Sequence, residues 1–108
     1  MSNQHNYPLI GQAFLGTKIL GASASLSGTD SGKAFVNTGA AAPITITLPK
    51  AAPGDRFIFV ETTAQNMVIQ PRSIDTIRGS ALGVATTLSS LGSSLLLTCV
   101  TPLFWELF

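Results

Sequence analysis

The segment from Ile44 to Val60, ITITLPKAAPGDRFIFV, carries the clearest pattern of apolar and polar positions in the chain. Ile44, Ile46 and Leu48 alternate with Thr45 and Thr47, so a strand here turns branched apolar side chains to one face and hydroxyls to the other. Pro49 removes a backbone donor and fixes φ at the exit, and Pro53-Gly54-Asp55 supplies turn chemistry. Arg56-Phe57-Ile58-Phe59-Val60 then resumes an extended run that is apolar on both faces, which predicts a central strand between two layers.

The same short period recurs along the chain. Ala22, Ala24 and Leu26 alternate with serines in a first strand within Lys18 to Leu26, and Ser27 to Gly32 reads as a hairpin connection into a strand over Lys33 to Asn37. After the polar stretch Glu61 to Asn66, further strands are predicted at Met67 to Gln70, Asp75 to Arg78, Gly83 to Leu88, Ser93 to Val100 and Phe104 to Phe108. Short strands at roughly eight-to-twelve-residue spacing, with Gly, Pro, Asn and Ser between them, predict an all-β fold: an antiparallel β-sandwich or jelly roll. No sustained helical period occurs.

The N-terminal segment has a different character. Met1 to Asn6 is polar, and from Tyr7 the apolar residues Tyr7, Leu9, Ile10, Phe14 and Leu15 are interrupted by Pro8, Gly11 and Gly16 before a helix could establish itself. Residues 1–17 therefore read as an extended arm and 18–108 as the β domain. Tyr7, Leu9, Ile10 and Phe14 are candidate partner contacts on the arm. Trp105 and Phe108 are candidates on the last strand, where a core position for Trp105 is the competing expectation, since aromatics dominate both cores and interfaces.

Composition sharpens this picture. The 108 residues are enough for one domain that buries ~65 % of its unfolded surface. Only 10 % are charged and 45 % hydrophobic, against a usual charged share of roughly 25 %. A surface so poor in charge is weakly protected against association, which points to burial against another chain and to a homo-oligomer, a dimer or trimer. The net charge is +1, and Lys18, Lys33, Lys50, Arg56, Arg72 and Arg78 are scattered singly, unlike the clustered cations of a nucleic-acid footprint. The apolar runs are too short for a membrane helix, and the start lacks the basic region of a signal peptide.

Candidate chemistry is sparse. Cys99 is the single cysteine, so no intrachain disulfide forms, and its setting in Leu95 to Val100 reads as a small buried hydrophobe. His5 has no second His or Cys with which to hold a metal, and no cofactor is expected. Gly28 to Lys33 departs from a phosphate-binding loop in the spacing of its glycines, in having Ala34 after the lysine, and in leading into a strand. A catalytic triad would have to use His5 on the arm, and the acids Asp30, Asp55, Glu61, Asp75 and Glu106 form no motif, so an enzyme is not expected.

Several runs resemble a small β domain found in virion proteins of tailed bacteriophages: Asp30 to Gly39, Ile44 to Pro49, Gly54 with Phe57-Ile58-Phe59, Asp75 to Gly79, and Gly92 to Leu95 before Trp105. The resemblance covers Leu26 to Phe108. It implies a capsid decoration or cement protein, or else a tail-fibre or spike module that binds a host receptor or carbohydrate. The layout of one domain with a short arm favours the first. The expected partner is then the major capsid protein, the expected location the outer surface of the capsid, and the expected mechanism an arm laid across a seam between capsid subunits.

Overall fold

The computed structural model describes residues 16–107. Ten strands follow one another: β1 (Thr17–Ile19), β2 (Ala24–Ser25), β3 (Ala34–Val36), β4 (Ile44–Thr47), β5 (Arg56–Val60), β6 (Met67–Gln70), β7 (Thr76–Ile77), β8 (Thr86–Leu88), β9 (Ser94–Cys99) and β10 (Phe104–Leu107). A single 3-10 turn at Gly28–Asp30 is the one helical element among the described residues. The described residues are all-β, as expected.

The strands are dealt alternately to two sheets. A six-stranded sheet has the order β1-β3-β5-β9-β10-β7, and a four-stranded sheet the order β2-β4-β6-β8. From β1 to β6 the chain crosses to the other sheet at every connection, so each strand returns beside its predecessor running the same way. The pairs β1/β3, β3/β5, β2/β4 and β4/β6 are accordingly parallel, as is β7/β10, while β5/β9, β9/β10 and β6/β8 are antiparallel. The expected antiparallel sheet is thus replaced by mixed sheets. Strand spacing alone could not separate the two, because a short connection serves a hairpin and a step between layers equally well.

One local expectation changes for the same reason. Ser27 to Gly32 is no hairpin: it carries the chain from β2 in one sheet to β3 in the other, with the Asp30 carboxylate accepting the Ser27 amide at 3.0 Å. The strands β4 and β5 of the opening segment also lie in different sheets and do not pair.

The alternation read from the sequence decides what is buried. Ile44, Ile46, Met67, Ile69 and Leu88 of the four-stranded sheet and Phe35, Phe57, Phe59, Ile77, Leu97, Cys99 and Trp105 of the six-stranded sheet enter one common core. Phe35, Phe57, Phe59 and Trp105 form its aromatic centre, with ring centroids 5.7 Å apart for Phe35 and Phe59 and 5.6 Å for Phe57 and Trp105. Burying each such side chain stabilises the fold by about 1.5–3 kcal/mol for Phe, on an area basis. Strand β5 is central in its sheet, yet its second apolar face is not covered by another layer of described residues.

Candidate interaction surfaces

The two sheets turn very different faces outward. Register places Ser25 beside Thr47 and Gln70, and Thr45 beside Val68 and Thr87, on the outside of the four-stranded sheet. Hydroxyls and an amide dominate that face, which suits water. On the six-stranded sheet, Thr17, Ala34, Ile58 and Leu96 form one outward row, and Ile19, Val36, Val60 and Ser94 the next. Their partners one residue along, Phe35, Phe59 and Leu97, point inward and are fully buried. Ile19 is 62 % exposed and the other aliphatic members are partly exposed, so the strands present a continuous aliphatic band without a charge in it.

A polar row bounds this band. Arg56 stands opposite Thr98, and Thr98 opposite Glu106. Arg78 donates to both carboxylate oxygens of Glu106 at 3.0 and 2.8 Å, and its guanidinium lies 4.8 Å from the centre of the Phe104 ring. The hydrogen bonds from Arg78 hold the Glu106 carboxyl below the usual carboxylate range and raise the guanidinium's own pKa.

A second apolar surface lies at one end of the molecule, where four connections are tied together. The Asp75 carboxylate is buried and accepts from the Ala51 amide at 2.9 Å and from Arg72 at 3.0 and 3.1 Å. Its backbone carbonyl accepts from the Gly83 amide at 2.9 Å, and the Thr76 amide donates to Leu103 O at 2.8 Å. Burial pushes the Asp75 pKa up, but the bonds from Arg72 and Ala51 and the charges of Arg72 and Lys50 outweigh it, and the carboxyl titrates below its ordinary value. Gly83 is required here twice over: its φ is +71°, and a Cβ would stand 2.9 Å from the carbonyl oxygen of Ser73.

On this fixed platform occur five of the eight large hydrophobics exposed among the described residues: Ile74, Leu82, Val84, Val100 and Leu103. Leu103 adopts φ +73°, the left-handed region that a branched side chain visits at a cost of roughly 1–2 kcal/mol. Leu103 is thus both strained and 45 % exposed, and it lies outside the core cluster.

The opposite end is organised by Asn37, which is fully buried just past β3. Its amide donates to Thr63 O and Gln65 O at 3.1 and 2.9 Å, and its oxygen accepts from the Thr62 and Thr63 amides at 2.8 and 3.0 Å. One side chain thereby fixes the connection from β5 to β6. Glu61 begins that connection; its backbone is tied to Gly92 and Ser93, and its buried Oε1 has no hydrogen-bond partner among the described residues.

The sequence-predicted contacts are distributed unevenly. Trp105 is wholly buried in the core, so it has no surface left for a partner. Tyr7, Leu9, Ile10, Phe14 and Phe108 lie outside the described residues. Cys99 is buried, its thiol donates to Thr101 O at 3.2 Å, and burial with the negative charges of Asp55, Asp75 and Glu106 pushes its pKa up, the opposite of an activated nucleophile. Among the described residues no group of His, Cys, Asp and Glu could hold a metal ion, and no helix is long and apolar enough to cross a membrane. Sequence reasoning missed the loop-end patch, whose members are far apart in the chain, and the outer band, whose residues become neighbours only through the register. It also missed Asn37, for which the one signal was an Asn before Thr38-Gly39 at a strand exit.

No family model matches the chain, and no curated protein matches it.

Proposed function

We propose that this chain is a bacteriophage capsid decoration or cement protein, which associates with copies of itself and binds the major capsid protein on the outer surface of the shell. The observation that carries the reading is the presence, on a small, charge-poor domain, of two separate apolar surfaces that the described residues leave uncovered: the outer band of the six-stranded sheet and the loop end around Leu82 and Leu103. A molecule with two association surfaces can join its neighbours, which is what a cement does. In this reading the two sheets and their common core act as a β-sandwich body, the loop end meets the shell, and the arm residues Tyr7, Leu9, Ile10 and Phe14 lie across a seam between capsid subunits. Binding the assembled shell and not its dissociated subunits would stabilise the shell by linkage.

The alternative of a tail module that binds a carbohydrate needs exposed aromatic rings. Trp105, Phe35, Phe57 and Phe59 are consumed by the core, and Phe104 is partly covered by Arg78, so the described surface favours cement. The test is cosedimentation of the purified chain with intact heads stripped of it. Binding that raises the temperature of head disruption supports the proposal; no binding to heads, with binding to tails or to glycans, overturns it.

A further inference from the structure

The alternation of the chain between its two sheets fixes where a strand preceding β1 belongs. We propose that Tyr7-Pro8-Leu9 is that strand, and that it pairs in parallel with the open edge of β2 in the four-stranded sheet. Residues 1–15 lie outside the described residues, so the placement is argued from the edge that would receive them. It concerns the chain's own fold and does not depend on the cement reading; under that reading, the seam the arm crosses runs along this edge.

Strand β2 ends its sheet, and among the described residues no strand lies beyond it. From β1 to β6 each strand of one sheet is preceded by a strand of the other, so the segment before β1 belongs beside β2. The described pairs also set its register. Ala24 on β2 precedes Ala34 on β3 by ten residues, and their partners Ile46 and Ile58 are twelve apart. Thr17 is the partner of Ala34 on β1, so counting back ten or twelve residues brings Tyr7 or His5 opposite Ala24. Both counts are even. Either way the odd-numbered residues Tyr7 and Leu9 share the inward face of Ala24 and Leu26, and Pro8 and Ile10 turn outward. The ten-residue count also sets Leu9 and Gly11 against Leu26 and Gly28, the same seventeen-residue separation that divides Thr17 from Ala34.

The chemistry of the edge agrees with this register. The Leu26 amide donates to Thr47 O at 2.9 Å, so the even-numbered residues of β2 bond to β4 and Ser25 turns its amide and carbonyl to the open side. In the pair β1/β3 the Ala34 amide donates to Gly16 O, the residue before its partner Thr17. By the same geometry Ser25 donates to Tyr7 O and accepts from the Leu9 amide. Pro8 then has its nitrogen on the far side, where no donor is needed and where a proline blocks the addition of a further strand. The side chains fit as well. Ile46 and Ile69 are fully buried, but Ala24, in the same row, is small and only partly buried at the open end. A large ring from Tyr7 complements it, and Leu9 extends the row of Leu26 and Leu48. What selects this segment over a strand from another molecule is its covalent tether, since Gly16 enters the sheet seven residues after Leu9 and the local concentration of the segment is correspondingly high.

The experiment is amide hydrogen exchange by NMR on the full chain, together with cysteine cross-linking. The Ser25 and Leu9 amides are expected to be protected in the wild type. Leu9→Asp should speed exchange at Ser25 by roughly fivefold or more, the scale of one net backbone hydrogen bond, while Ile10→Asp leaves it unchanged. Neighbouring strands lie about 4.8 Å apart, within the Cα range of a disulfide, so the double variant Tyr7→Cys, Ala24→Cys should oxidise to an intramolecular bond, the native Cys99 being buried. Pro8→Cys with Ala24→Cys should oxidise far more slowly, because its side chain faces away. A Ser25 amide that exchanges like that of an unfolded chain overturns the proposal. So does equal cross-linking at positions 7 and 8, which denies the register, or a cross-link that forms only between two molecules, which gives the edge to another copy. Neither measurement involves heads, so a chain that passes both and fails to bind heads loses the cement reading and keeps the strand.

Discussion

Ile58 and Leu96 stand directly opposite each other across the antiparallel pair β5/β9, and both turn away from the core. Their neighbours Phe57 and Leu97 form the next cross-strand pair and are fully buried. One sheet thus has two apolar sides, of which the described residues fill one. Leu97→Ala should cost about 2–5 kcal/mol of folding stability through a core cavity. Leu96→Thr should cost less than about 1 kcal/mol when unfolding is measured at low protein concentration, since it leaves no cavity. Equal losses in urea would contradict the assignment of the two faces.

Asn37 makes a different kind of stabilising contact, with every hydrogen-bonding position of its amide directed at the β5–β6 connection. Replacing it with alanine strands the amides of Thr62 and Thr63 together with two carbonyls. Asn37→Ala is expected to lower stability by about 2–4 kcal/mol and to make the 61–66 connection the first site of proteolysis. Limited digestion followed by mass spectrometry locates the cut; cleavage unchanged from the wild type would refute the role.

The Asp75 carboxyl gives the loop end a pH dependence with a definite sign. Its folded pKa lies below the unfolded one, so its contribution is complete above the unfolded value near 4 and is lost as pH falls through the folded value. Asp75→Asn keeps an acceptor for the Ala51 amide but not the charge that Arg72 meets. The variant should be less stable than the wild type at neutral pH, and the difference should shrink as the solution is acidified below about pH 4. Thermal unfolding of both proteins across pH measures this; a constant difference would show that the charge is not what matters.

Leu103 is expected to trade stability for surface. Leu103→Gly relieves the left-handed backbone and should leave the domain equally stable or more stable by up to about 1 kcal/mol, even though a side chain has been removed. If the loop end meets the shell, the same variant should bind heads more weakly. A variant that is both destabilised and fully competent in binding would reverse the reading of this residue.

Much of the fold was legible in the sequence because side-chain alternation within a strand is a local signal. Ile44 to Thr47, Met67 to Gln70 and the split of Leu97 and Cys99 from Leu96 and Thr98 follow directly from it. Partner choice between strands is not local. Whether Ser27 to Gly32 reverses the chain within a sheet or carries it to the other depends on where Leu26 and Phe35 find their core, and those are contacts across layers. The candidate surfaces were less legible still: Ile19, Val36, Ile58 and Leu96 span most of the chain, and nothing in their separate surroundings marks them as one surface. Trp105 was read as core or interface because both environments favour the same residue, and only packing against Phe57 decides for the core.

The most direct test of the functional proposal is immunogold electron microscopy of the intact virion with an antibody raised against this chain. Label in many copies over the head is the predicted result. Label confined to the tail, or no label on virions from a lysate in which the chain is present, would contradict a capsid-cementing role.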